Sequence, residues 1–145
     1  MTTIIAVQNS KGFVFAADAQ VTEGDRAYMH PRMTKITEVG DYVMAGAGSS
    51  RCCDVVLFGW EPPIYDGTEH YKFMVSKFIP ELRKVHENAG ITLKEDEEFC
   101  FLVGIDKRVF YICQDYSVLA TNTNVYGIGS GSGYALGAIA YGASI

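Results

Sequence analysis

Two pairs of strand-like segments constrain this chain more than any other feature, because their residues are apolar on both faces. Phe99-Cys100-Phe101-Leu102-Val103-Gly104-Ile105 and Val109-Phe110-Tyr111-Ile112-Cys113 flank Asp106-Lys107-Arg108, a hairpin signal. The opening run Met1-Thr2-Thr3-Ile4-Ile5-Ala6-Val7 and Phe13-Val14-Phe15-Ala16-Ala17 flank Asn9-Ser10-Lys11-Gly12, a second one. A strand apolar on both sides must be covered on both sides. The pattern therefore predicts two antiparallel sheets packed together between helices. Strands, helices, strands and a helix follow in blocks rather than in βα alternation, which gives an α+β class. At 145 residues, positions 1–145 read as a single domain with room for a real core.

Between the hairpins, residues 19–34 are polar and read as a loop. A short strand is expected around Thr34-Lys35-Ile36-Thr37, then a turn at Gly40-Asp41 and a strand Tyr42-Val43-Met44-Ala45-Gly46-Ala47-Gly48. Ser49-Ser50 can cap a helix running through Cys52 to Phe58. The clearest helix spans Glu69 to about Asn88, with Tyr71, Met74, Val75, Phe78, Leu82 and Val85 on one apolar face. Pro80 lies inside that pattern and predicts a kink or two helices meeting. A short strand near Leu119-Ala120, another at Val125–Ile128 and a small-residue helix after Gly129-Ser130-Gly131-Ser132-Gly133 complete the chain.

Charge and cysteine usage exclude several functions. Twelve Lys and Arg against 17 Asp and Glu give −5, without a basic run, which argues against nucleic acid or an anionic membrane surface as partner. No apolar stretch is long enough to span a bilayer, and the N-terminus lacks the basic and apolar regions of a secretory signal. The expected location is cytoplasmic. His30, His70 and His86 form no ligand cluster, so neither a metal nor any other cofactor is expected. A two-residue loop would set Cys100 opposite Cys113; they read as packed thiols rather than a bridge, like the adjacent Cys52 and Cys53.

Thr2 stands directly behind the initiator methionine. If Met1 is removed, Thr2 carries a hydroxyl and a free α-amine of pKa about 7.7–8, a nucleophile and its base on one residue. Asp18 and Lys35 each adjoin apolar strand residues, and two opposite charges there would need each other or a shared task. An odd connection in the first hairpin, with Gly12 left-handed, would put Thr2 and Asp18 on one face; an even one would put them on opposite faces. The segment Gly127–Gly137 matches neither the dinucleotide-binding spacing nor a hydrolase elbow centred on Ser130 or Ser132.

Taken together, Thr2-Thr3-Ile4-Ile5, Ala17-Asp18-Ala19-Gln20-Val21-Thr22-Glu23-Gly24, Lys35-Ile36, Ala47-Gly48-Ser49 and Gly129-Ser130-Gly131 resemble the proteasome β-subunit family of N-terminal-nucleophile hydrolases. The spelling Asp18-x-Gln20-x-Thr22-x-Gly24 is most similar to the bacterial HslV branch. The resemblance implies two antiparallel sheets sandwiched between helical layers, assembly into homo-oligomeric rings, and hydrolysis of peptide bonds in peptides or unfolded proteins. An ATP-dependent unfoldase is a candidate partner. By position, Thr2 matches the nucleophile, Lys35 the lysine that eases its deprotonation, and Asp18 the carboxylate paired with that lysine. Ser130 matches a serine near the threonine amine. Gly48, or with a different loop length Gly46, matches the oxyanion-hole glycine, and Thr22 falls where substrate backbone binds as an added strand.

The sequence departs from that family in two places. It stops at Gly142-Ala143-Ser144-Ile145, where the family continues with a further helix, strands and an aspartate and serine, so the expected fold lacks its C-terminal part. With Met1 attached, Thr2 has an amide and no base. A catalytically silent ring subunit and a small-molecule amidohydrolase on the same scaffold are the alternative readings.

Overall fold

The computed structural model describes residues 2–23, 25–29, 34–92 and 98–142. Met1 and Gly24 of the motifs above lie outside the described residues.

The strands are β1 Ile4–Asn9, β2 Gly12–Ala17, β3 Gln20–Glu23, β4 Arg26–Met29, β5 Ile36–Val39, β6 Tyr42–Gly48, β7 Phe99–Ile105, β8 Arg108–Ile112, β9 Val118–Leu119 and β10 Val125–Ile128. The helices are α1 Ser50–Leu57, α2 His70–Phe73, α3 Ile79–Asn88 and α4 Ser132–Tyr141, with a π-helical turn Met74–Phe78 joining α2 to α3. One sheet runs β5-β6-β7-β8-β9 and a second β10-β1-β2, all pairs antiparallel.

Side-chain alternation builds the layers. From β6, β7 and β8, the residues Met44, Phe101, Val103, Phe110 and Ile112 pack on Cys52, Val56, Phe73, Phe78 and Leu82 of the helices. The opposite face offers Ala45, Ala47, Leu102 and Val109 to Ile4, Ala6, Tyr126 and Ile128 of the smaller sheet. Beyond that sheet lies α4, whose Leu136 and Ser132 approach bare Gly127 of β10. The α+β sandwich expected from the two-sided apolar strands is the fold observed. One outer face stays open: Val14 of β2 is half exposed.

Three local expectations are corrected. Residues 19–34 are not simply a loop, because β3 and β4 form a hairpin closed by the Glu23↔Arg26 pair. Its strands are too polar to show an apolar alternation. The Glu69–Asn88 segment is not one regular helix: α2 and α3 meet through the π turn just ahead of Pro80, the second of the two outcomes expected there, and it is the buried face that differs. The Ile79 N–H reaches back five residues to Met74 O, widening the turn just before a proline that has no N–H of its own. That extra residue rotates the buried face: Phe73 and Met74 are followed by Phe78 and Ile79, then Leu82 and His86. Tyr71 and Val75, expected inside, are 47% and 48% exposed. Finally, Ser10 and Lys11 alone link β1 to β2, with Asn9 paired to Gly12. The connection is even, and Gly12 at φ 154° is not in the left-handed helical region.

Candidate active site

The even hairpin should send Thr2 and Asp18 to opposite faces, yet one ammonium reaches both. Strand pairing stops at Ile4↔Ala17, which frees the next residues to depart from the pleat. The Asp18 N–H donates to Thr3 O (3.1 Å), and the carboxylate turns back so that Oδ1 accepts from the Thr3 N–H (2.7 Å) and Oδ2 from the Gln20 N–H (2.9 Å). Lys35, one residue before β5, places Nζ 3.0 and 2.9 Å from the two carboxylate oxygens and 3.2 Å from Thr2 Oγ1. Burial pushes the Asp18 carboxyl upward, but the Thr3 amide, the Lys35 ammonium and the Gln20 amide outweigh it. The net pKa lies below the ordinary value.

Thr2 is anchored from the other side. Its carbonyl accepts from the Gly131 N–H (3.0 Å), just ahead of α4. Gly129 has φ +88°, and a Cβ there would stand 2.2 Å from Thr2 O. Only glycine lets that loop come so close. In the sequence Gly129 is only part of the Gly129-Ser130-Gly131 motif; its place between β10 and the last helix is the one signal for this task.

Thr2 sits where two depressions meet, and both are also lined by Ala47 and Gly48. The first, about 210 Å³, extends past Gln20, Val21 and Lys35 to Cys53, Asp54 and Leu57 of α1. The second passes Cys100, Tyr111 and Cys113 to Gly129 and Ser130. Val39↔Tyr42 closes a two-residue turn as a hydrogen-bonded pair, so alternation turns the even-numbered β6 amides toward β5. β5 pairs only from Ile36, so the Gly46 and Gly48 amides face the side where β5 has not begun. Gly48 also needs its hydrogen for backbone reasons: φ is +102° and a Cβ would lie 2.3 Å from Glu98 O. Gly46 is bare for packing, since a Cβ would meet Cys53 Sγ at 2.8 Å and the Phe101 ring at 2.9 Å.

Ser130 is exposed in the second depression, and no hydrogen bond joins it to Thr2. The Thr22 backbone lies in β3, which pairs only with β4 among the described residues; its side chain lies outside them. No group of three or more His, Cys, Asp or Glu that could hold a metal ion occurs among the described residues. No helix among them is long and apolar enough to cross a membrane.

The sequence profile of the family "Proteasome subunit" matches residues 1–54. No curated protein matches the sequence. Among solved structures, BPH of Thiobacillus denitrificans in complex with epoxomicin is 24% identical with TM-score 0.75, covering 97% of this chain and 80% of its own. Eukaryotic HslV from Trypanosoma brucei is 20% identical with TM-score 0.63, covering 99% and 80%. The helical assembly of the Anbu complex from Pseudomonas aeruginosa is 16% identical with TM-score 0.67, covering 98% and 66%. The resemblance drawn from the motifs therefore stands: the chain carries the proteasome-subunit pattern over residues 1–54 and shares the fold of the HslV and BPH structures over nearly its whole length.

Proposed function

We propose that residues 1–145 form one proteasome-like domain that, once Met1 is removed, hydrolyses peptide bonds through an acyl-enzyme on Thr2. The observation that carries this reading is Lys35 Nζ at 3.2 Å from Thr2 Oγ1, held there by both oxygens of Asp18. An ammonium beside the hydroxyl favours its alkoxide-like state and disfavours a protonated amine on the same residue, leaving that amine a better base. The free amine takes the hydroxyl proton, and Oγ1 attacks the scissile carbonyl. The Gly48 N–H receives the developing oxyanion, a role worth about 10²–10³ in rate. Collapse expels the leaving amine and leaves an ester on Thr2, which water hydrolyses. Ser130, which lines the same depression as Thr2 without bonding to it, is the hydroxyl assigned to the free amine once Met1 is gone.

The edge of β3 that has no partner among the described residues, with Thr22 in it, suits a substrate adding as a strand toward Thr2. Peptides or unfolded proteins are the substrates, and an ATP-dependent unfoldase is a partner that would deliver them. The subunits work as a homo-oligomeric ring in the cytoplasm. The helical assembly of the Anbu relative supports oligomerisation.

The test uses protein whose N-terminus has been verified as Thr2 by mass spectrometry. A peptide epoxyketone is expected to add covalently at Thr2, while Thr2→Ala folds and takes no label. Lys35→Met should lower peptide hydrolysis by at least about 10²-fold. Processed protein that neither labels nor cleaves would instead be a silent ring subunit.

A further inference from the structure

Cys100 and Cys113 fall on the wall of the second depression beside Thr2, and the hairpin that carries them fixes their relation. The turn between β7 and β8 is two residues long, Asp106 and Lys107, both with positive φ (46° and 69°). Such a turn makes its closing pair, Ile105↔Arg108, a hydrogen-bonded one. Alternation then makes Phe101↔Ile112, the last ladder pair, hydrogen-bonded as well. One step further Cys100 faces Cys113 in a non-hydrogen-bonded position.

Two backbone bonds agree with that phase. The Cys113 N–H points away from β7 and donates to Ser117 O (2.9 Å). On the far side of β7, Ser49 N–H donates to Glu98 O (2.7 Å), so even-numbered residues of that strand turn their polar groups to β6. Side chains in a non-hydrogen-bonded pair stand on one face with Cα atoms about 4.5 Å apart. A disulfide accepts Cα separations of about 4.4–6.8 Å. Both thiols are free and only partly covered; Cys100 Sγ lies 3.9 Å from Ala47 O and also interacts with the Tyr111 side chain and the Gly129 backbone.

We infer that Cys100 and Cys113 form a reversible disulfide across β7 and β8, a redox-sensitive modification of the cleft wall next to Thr2. The oxidant is a low-molecular-weight disulfide such as oxidised glutathione. The Cys113 thiolate attacks one of its sulfurs and releases one glutathione thiol; the Cys100 thiolate then attacks Cys113 Sγ in the mixed disulfide and releases the second. Two protein thiols lose two protons and two electrons, and the glutathione disulfide is reduced to two thiols. Burial raises the Cys100 thiol above its ordinary value, so Cys100 acts second, as the resolving thiol. Bridge formation needs no hydrolytic activity.

Folded protein is incubated with oxidised glutathione, then denatured in the presence of N-ethylmaleimide so that every remaining thiol, buried ones included, is alkylated, and the digest is mapped by mass spectrometry. Two of the four cysteines should escape alkylation, in one linked peptide joining Cys100 to Cys113, and dithiothreitol should restore both. Cys113→Ser and, separately, Cys100→Ala should abolish the linked peptide while folding as wild type by circular dichroism. Alkylation of all four thiols, a bridge formed only in urea, or a linkage involving Cys52, Cys53 or a second chain would overturn the inference.

Discussion

The carboxylate of Asp18 accepts from two backbone amides and one ammonium, and these contacts set its response to acid. Its folded pKa is depressed below the ordinary 3.8. The stabilisation is therefore complete above that ordinary value and is lost as pH falls through the lower, folded one. Asp18→Asn should cost about 1–3 kcal/mol near neutral pH and progressively less in strong acid. Urea melts of both proteins across pH will show it; a difference that does not shrink in acid contradicts the linkage. Gly129→Ala tests the opposite wall. An Ala at positive φ costs about 1–2 kcal/mol before any clash, and here its Cβ would strike Thr2 O, so a larger loss is expected in the same melts. Thr2, Asp18, Lys35, Gly48 and Ser130 were all legible in the sequence as residue types in a motif order. That Lys35 would span Thr2 and Asp18 was not, because an even hairpin alone argues for separation.

Among the elements, the long helix shows most clearly where periodicity misleads. Its length and its start were readable: the Glu69 carboxylate accepts from the Tyr71 and Lys72 amides, as an N-cap should. The buried phase was not, since a five-residue step at the π turn cannot be seen in a three-and-four pattern. His86 enters the core through that rotation. It is fully buried, with Nε2 3.1 Å from Cys52 O and Nδ1 2.8 Å from Tyr116 Oη. Because a carbonyl only accepts, Nε2 carries the proton in the neutral ring and the Tyr116 hydroxyl donates to Nδ1. The residue thus ties α3 to α1 and to the loop after β8. His86→Leu removes both bonds, taking the second donor from the Cys52 carbonyl and the acceptor from the part-buried Tyr116 hydroxyl. Unfolding free energy should fall by about 1–3 kcal/mol, measured by chemical denaturation; an unchanged midpoint would show that these bonds contribute nothing net.

Over the whole molecule, the four layers leave α4 outermost, with Tyr134 85% and Tyr141 97% exposed. A large apolar surface of this kind favours burial against another surface. Light scattering at micromolar concentration should therefore give a mass several times the 15.9 kDa of one chain, and a monomer would count against a ring. The layered architecture was written in the sequence, because strands apolar on both faces admit few arrangements and the blocks of strand and helix select among them. The candidate nucleophile and its charged neighbours were written there too, as residue types at fixed places. Only the tertiary structure decided the phase of the long helix, the closeness of Gly129 to Thr2 and the meeting of residues 2, 18 and 35. Local periodicity records what each segment buries, whereas the register between segments distant in the chain is set only when their side chains pack.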